Sequence, residues 1–129
     1  SVLIDNDKPD IIIDDGGHTS NQQISSFNFL YKSLKYGGIY LVEDTHTSYY
    51  HQYQDRSDQL TFIEHAKHLS DELNDWFRVN HLRVYSKKIK EINEVDVSYW
   101  AKNIHKISFY NSIVVFEKKE SQIPVVEMR

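Results

Sequence analysis

Two hydrophobic periods alternate along this chain. Ile11, Ile12 and Ile13 form a continuous β-branched run between Asp10 and Asp14. Such a run is too short for a helix and reads as a strand buried on both faces, as in a parallel sheet. The period then lengthens: Ile24, Phe27, Leu30, Tyr31 and Leu34 recur at helical steps. Ser20 and Gln23 stand before them at capping-box spacing, and Gly37-Gly38 closes the pattern. Residues 39–43 (IYLVE) repeat the strand signature, so residues 10–43 predict one βαβ unit. A polar, aromatic stretch follows, THTSYYHQYQDRS, which reads as a functional or mobile loop. Phe62, Ala66, Leu69, Leu73, Trp76 and Phe77 then predict a long amphipathic helix from Asp58 to about Val79, with Trp76, Phe77 and later Trp100 in the core. Residues 80–102 carry no legible period. Residues 104–110 and 112–117, separated by Asn111, predict an antiparallel hairpin, after which the tail from Lys118, with Pro124, should fray. The expected class is α/β: a parallel βαβ unit, a long helix and a C-terminal antiparallel hairpin, in a single domain over residues 1–129.

Composition narrows what such a domain does. Its 129 residues are 40% hydrophobic, enough for one packed core. A net charge of -4 and a pI near 5.9 give no broad basic field, which sets nucleic acid and anionic membranes aside. There is no cysteine, hence neither a disulfide framework nor a thiolate metal site. No apolar run is long enough for a membrane span or a signal peptide, so a soluble, cytoplasmic protein is expected. The chain opens at Ser1 without an initiator Met and runs almost at once into a strand, as a piece of a longer protein would.

Both predicted strands end in acid, Asp14-Asp15 and Glu43-Asp44. Parallel strands joined by a helix deliver their C-terminal ends to one edge of the sheet, where open α/β folds bind ligands. Carboxylates crowded there repel one another unless a cation or a proton is shared among them. An oxygen-only ligand set favours a hard ion, Mg²⁺ first with Mn²⁺ or Ca²⁺ as alternatives, over zinc. His18, three residues beyond Asp15, is placed to accept a proton from a hydroxyl activated at such an ion. Gly16 and Gly17 would bring backbone close to a ligand and aim Asp15 and His18 into one cleft. The competing reading of Asp14-Asp15 is a turn signal with favourable charge at a helix N-terminus.

The segment DIIIDDGGHTSNQQISSFNFLYKSLKYGGIYLVEDTHTSYY resembles the C-terminal half of class I, S-adenosylmethionine-dependent sugar O-methyltransferases of the macrolide, mycinamicin type, and the similar cephalosporin hydroxylase-like proteins. The matching features are Asp14-Asp15-Gly16-Gly17-His18, Gly37-Gly38, Glu43-Asp44, and Thr47 followed by Tyr49 and Tyr50; the match is good over residues 9–50. Gly17 stands where the family has a small hydroxyl residue and Tyr36 where it has proline. The resemblance implies a partial Rossmann-like methyltransferase sheet, with Asp15, Glu43 and Asp44 as Mg²⁺ ligands. It further implies that the ion chelates neighbouring sugar hydroxyls and that His18 deprotonates the attacking one. The Gly-rich loop that would hold S-adenosylmethionine does not occur in this chain. The resemblance therefore assigns to it the metal and base half of the site, inactive without the methyl-donor half, and leaves the strand over residues 10–14 with an unpaired edge that invites a homo-oligomer.

Other candidates carry less. Tyr49, Tyr50 and Tyr53 read as a sugar-binding lid or as loop aromatics packed on the domain. His65 and His68 share a helix face without a third ligand and read as surface residues; His46, His51, His81 and His105 have no supporting context. Two other functions compete: Mg²⁺-dependent phosphoryl transfer at an acidic cluster, which also wants a Lys at a later strand end, and a non-catalytic binding or assembly module.

Overall fold

The computed structural model describes residues 7–77 and 97–122, and in it the alternating patterns become one mixed sheet with helices against one face. Strand β1 (Ile11–Asp14) runs parallel to β2 (Ile39–Glu43), joined by α1 (Ser20–Leu30) and a 3-10 turn at Tyr31–Ser33. Helices α2 (Phe62–Leu73) and α3 (Tyr99–Asn103) precede a hairpin of β3 (Ile104–Tyr110) and β4 (Ile113–Lys118). The strand order is β1-β2-β4-β3, with β4 antiparallel to both of its neighbours. The hairpin thus returns beside β2: Glu43 lies opposite Ile113, and Ile113 opposite Tyr110. This architecture is the α/β arrangement read from the sequence.

The core lies between the sheet and α1 and α2. Phe27 is its hub, with ring centroids 4.4 Å from Phe116, 5.1 Å from Tyr40 and 5.2 Å from a stacked Trp100. Tyr40, Val42, Val114 and Phe116 alternate inward from the two central strands and are fully buried. Removing a ring such as Phe27 should cost about 3–5 kcal/mol. The expectation of burial on both faces fails for β1: Ile12 packs on the core, but Ile11 and Ile13 are 61% and 59% exposed. Strand alternation sends them to the sheet's second face, which nothing among the described residues covers, and β1 forms one edge of the described sheet.

Local chemistry moved several boundaries. The capping box of α1 is Thr19 with Gln22, one residue earlier than Ser20 with Gln23. Ser20 and Gln23 instead turn inward and are buried, and the Gln23 amide reaches the Glu43 carbonyl at 3.4 Å. Helix α2 starts at Phe62, capped by Thr61, and not at Asp58. The Asp58 carboxylate is occupied by Arg56, at 3.0 and 2.8 Å, and by the Leu60 N–H. Trp76 is buried with Val97 and Ala101 as expected, but Phe77 is 42% exposed and leaves the core. The segment from residue 78 to 96, including Val79 and His81, lies outside the described residues, as does Pro124.

Lys118 is not the start of a fraying tail. It ends β4, is buried, and its ammonium donates to the carbonyls of Leu34 at 2.6 Å and of Tyr31 and Lys32 at 3.3 Å. Those carbonyls belong to the end of α1 and the turn after it, where helical partners run out. Backbone pairing continues past it, from Lys119 to Asn103 and Ser121 to Lys102. Gly38 sits where this region closes: a Cβ there would stand 2.7 Å from the carbonyl oxygens of Asp10 and Lys35.

Candidate metal centre

The parallel pairing of β1 and β2 sets Asp14 opposite Val42, so the residues just beyond both strands share one rim. Asp15, Glu43 and Asp44 each present a carboxylate oxygen there, all within 4.8 Å of one another. An extended strand would throw Glu43 and Asp44 to opposite faces. Asp44 breaks the alternation with a left-handed backbone, φ 59°, which is uncommon outside glycine but best tolerated by Asn and Asp. Two consecutive acids can therefore serve one point. Asp14 does not join them, contrary to a four-carboxylate rim. Its carboxylate accepts the Gly16 N–H at 3.1 Å and lies 3.5 Å from the Tyr40 hydroxyl.

The like charges are felt. Asp15 first, then partial desolvation and Asp44, push the Glu43 carboxyl above the usual carboxylate range. A cation shared among the three carboxylates would relieve this repulsion, and an all-oxygen donor set suits a hard one. The three carboxylate oxygens, within 4.8 Å of one another, are close enough to serve one ion.

His18 stands over the same rim, its Nε2 3.9 Å from Asp44 Oδ2 and its ring edge-on to Tyr53 at 6.4 Å. Thr47 holds it there. This buried hydroxyl lies 2.8 Å from the His18 carbonyl and 3.0 Å from the Asp44 carbonyl, bridging the loop after β1 to the turn after β2. A Cβ at Gly17 would meet only the far end of the Gln22 side chain that closes the capping box, which would have to shift aside.

Of the two readings of the stretch after Asp44, functional or mobile, its regular turns and its place along a recess fit the first. It forms 3-10 turns at Thr45–Tyr49 and His51–Tyr53, with Thr45, Thr47 and Ser48 buried. His18, Asp44, Tyr50 and Tyr53 line a recess of about 330 Å³, while Tyr49 faces a neighbouring one. His46, which had no context in the sequence, lines both, and its Nδ1 lies 2.6 Å from the Ser112 hydroxyl. Ser112 was missed too. It takes φ 61° in the hairpin turn, where glycine or asparagine is usual, and its carbonyl accepts the Thr45 N–H at 3.0 Å. His65 is not a surface residue. Its ring packs on Phe27 and Phe62, its Nε2 is buried without a partner, and burial pulls its pKa down to about 4. Among the described residues it joins no metal-binding group.

The fold is similar to that of solved methyltransferases. No family model matches the chain. Over 67 residues it is 40% identical to the 8-demethyl-8-alpha-L-rhamnosyl tetracenomycin-C 2'-O-methyltransferase of Streptomyces olivaceus, a stretch covering 50% of this chain and 18% of that enzyme. Over 44 residues it is 46% identical to the L-olivosyl-oleandolide 3-O-methyltransferase of Streptomyces antibioticus, covering 34% of this chain and 11% of the relative. The chain therefore spans under a fifth of the length of these relatives. Among solved structures, the MycE methyltransferase from the mycinamycin biosynthetic pathway, in complex with Mg and SAH, superposes with a TM-score of 0.69. Identity there is 24%, with 92% of this chain and 28% of MycE covered. MycE in complex with Mg, SAH and mycinamycin VI gives 0.67 over 86% of this chain and 26% of MycE, again at 24% identity. The fold is that of a methyltransferase, and the relatives in sequence are sugar O-methyltransferases, in line with the resemblance carried by residues 9–50.

Proposed function

We propose that this chain carries the metal and base half of a Mg²⁺- and S-adenosylmethionine-dependent O-methyltransferase that modifies a sugar hydroxyl of a glycosylated small molecule. The convergence of Asp15, Glu43 and Asp44 beside His18 is the observation that carries this reading. The named relatives methylate rhamnosyl and olivosyl groups, which supports the acceptor class. Asp15, Glu43 and Asp44 would hold Mg²⁺, which when bound supplies Lewis acidity and a fixed anchor for neighbouring sugar hydroxyls. S-adenosylmethionine supplies the methyl group; no residue of this chain is assigned to it.

Methyl transfer is an in-line displacement, so the protein's part is alignment and stabilisation of the forming alkoxide. His18 takes the hydroxyl proton at Nε2. That nitrogen lies 3.9 Å from Asp44 Oδ2, which keeps the base beside the carboxylates that would hold the ion. Thr47, gripping the His18 and Asp44 carbonyls together, keeps base and carboxylate in one geometry. Tyr50 and Tyr53 wall the recess in which a pyranose ring would sit.

Phosphoryl transfer loses ground on one observation. It wants a lysine at a later strand end beside the acidic cluster, whereas Ile113 is the β4 residue opposite Glu43 and Lys118 ends that strand at the far edge of the sheet, beside Gly38, on three main-chain carbonyls.

The test is methyl transfer from S-adenosylmethionine to rhamnosyl or olivosyl glycosides by the protein carrying this chain. Activity should require Mg²⁺ and vanish in His18→Gln while that variant still binds Mg²⁺. An active His18→Gln enzyme would remove His18 from its role.

A further inference from the structure

Beside the recess over the acidic rim lies a second, larger one of about 530 Å³, between α2, the turn after β2 and the tip of the β3–β4 hairpin. Its walls differ in kind. Tyr49, Phe109 and Tyr110 are 72%, 47% and 63% exposed, yet all three line this one concavity, with Ile63 beneath. Three large aromatic side chains left in water around one hollow cost free energy unless something apolar covers them. The recess adjoins the metal rim at two points. His46 forms a wall of both recesses, and Asn111 and Ser112 line it while also flanking Glu43 and Asp44 on the rim's other side.

We infer that this aromatic recess is a second acceptor subsite, which takes the apolar, ring-bearing part of a glycoside whose sugar lies over Asp15, Glu43 and Asp44. The inference rests on the acceptor class proposed above and adds where the rest of the acceptor goes. The division of labour follows from chemistry: the rim and its recess offer carboxylates, imidazole and hydroxyls, which suit a polyol, while Tyr49, Phe109 and Tyr110 bring aromatic side chains to the second recess. Continuity through His46 lets one molecule reach both. The hydrogen bond from His46 to Ser112 fixes the spacing, because it ties the turn after β2 to the hairpin tip.

The experiment compares a naphthyl rhamnoside, the matching methyl rhamnoside and free 2-naphthol by titration and amide NMR, with Mg²⁺ present. The naphthyl glycoside should bind roughly tenfold tighter than the methyl glycoside, about the worth of one buried ring face. Its signals should move at Tyr49, Phe109 and Tyr110, which line only the second recess and where the methyl glycoside should move none, and 2-naphthol should move the same three. Phe109→Ser should erase the naphthyl preference while leaving Mg²⁺ binding and methyl rhamnoside binding as they were. If neither naphthyl compound perturbs those signals, or if Phe109→Ser keeps the preference, the subsite is refuted. If Phe109→Ser instead dissolves a dimer that naphthol cannot reach, the recess belongs to a second copy and the inference also falls. Naphthol binding without any rhamnoside response at His18 or Asp44 would sink the sugar reading above; the recess would remain an apolar site, but no longer an acceptor subsite.

Discussion

Replacing Thr47 by valine removes a proton donor and almost nothing else. The side chain is buried and the two residues have nearly the same shape, so packing survives. The hydroxyl is within bonding distance of the His18 carbonyl at 2.8 Å and the Asp44 carbonyl at 3.0 Å. The Asp44 carbonyl keeps the Thr47 N–H at 3.3 Å as a second partner, so the main loss falls on His18. Leaving such an acceptor unpaired costs about 1–2 kcal/mol. For a chain of this size that lowers the melting temperature by roughly 3–8 °C. The same change unties the segment bearing Asp15 and His18 from the turn bearing Asp44, so Mg²⁺ affinity should fall by about threefold to tenfold. Thermal melting and calorimetric Mg²⁺ titration of Thr47→Val measure both effects, with Thr47→Ser, which keeps the hydroxyl, as the control. An unchanged melting temperature and Mg²⁺ affinity in Thr47→Val would refute the claim that this hydroxyl organises the rim, as would a serine variant no better than valine.

Three further outcomes follow from the charges. Glu43, its pKa raised chiefly by Asp15, favours the fold while protonated, and that contribution is lost as pH rises through its folded pKa. Glu43→Gln should therefore raise the melting temperature at pH 7 without Mg²⁺ while weakening Mg²⁺ binding by about tenfold or more; a lower melting temperature would contradict it. His65 runs the other way: with a folded pKa of about 4 against 6.5, its contribution to stability is present above 6.5 and lost as pH falls toward 4. That is about 2–3 kcal/mol after discounting for residual solvent contact. His65→Leu should flatten urea midpoints across that window, and an equally steep profile in the variant would count against it. Lys118→Met strips the ammonium from three carbonyls and should cost about 2–4 kcal/mol in urea unfolding while Mg²⁺ affinity stays unchanged; a loss under about 0.5 kcal/mol would show that water replaces it.

The parts legible from sequence were those set by period and by residue type at strand ends. The isoleucine run, the 24–34 stripe and IYLVE gave the βαβ unit, and acids behind two parallel strands gave the rim. Main-chain events were harder to read. The left-handed turn at Asp44 places two neighbouring acids together, and one at Ser112 sets the hairpin tip, yet neither residue announces a positive φ. Burial without periodicity was also hidden. Lys118 read as the start of a fraying tail because its partners are carbonyls, which no side-chain pattern reveals, and His65 read as a surface residue because its neighbour Phe27 lies on another helix. The stretch after Asp44 read as a functional or mobile loop, and its regular backbone was hidden because 3-10 turns with buried Thr and Ser carry no apolar stripe.

A calorimetric Mg²⁺ titration of the wild-type chain and its Asp15→Asn variant, with Asp14→Asn alongside, bears most directly on the proposed metal centre. One ion should be bound by the wild type, retained by Asp14→Asn, whose carboxylate serves Gly16, and lost or weakened about tenfold or more in Asp15→Asn. No Mg²⁺ uptake by the wild type, or equal affinity in Asp15→Asn, would contradict it.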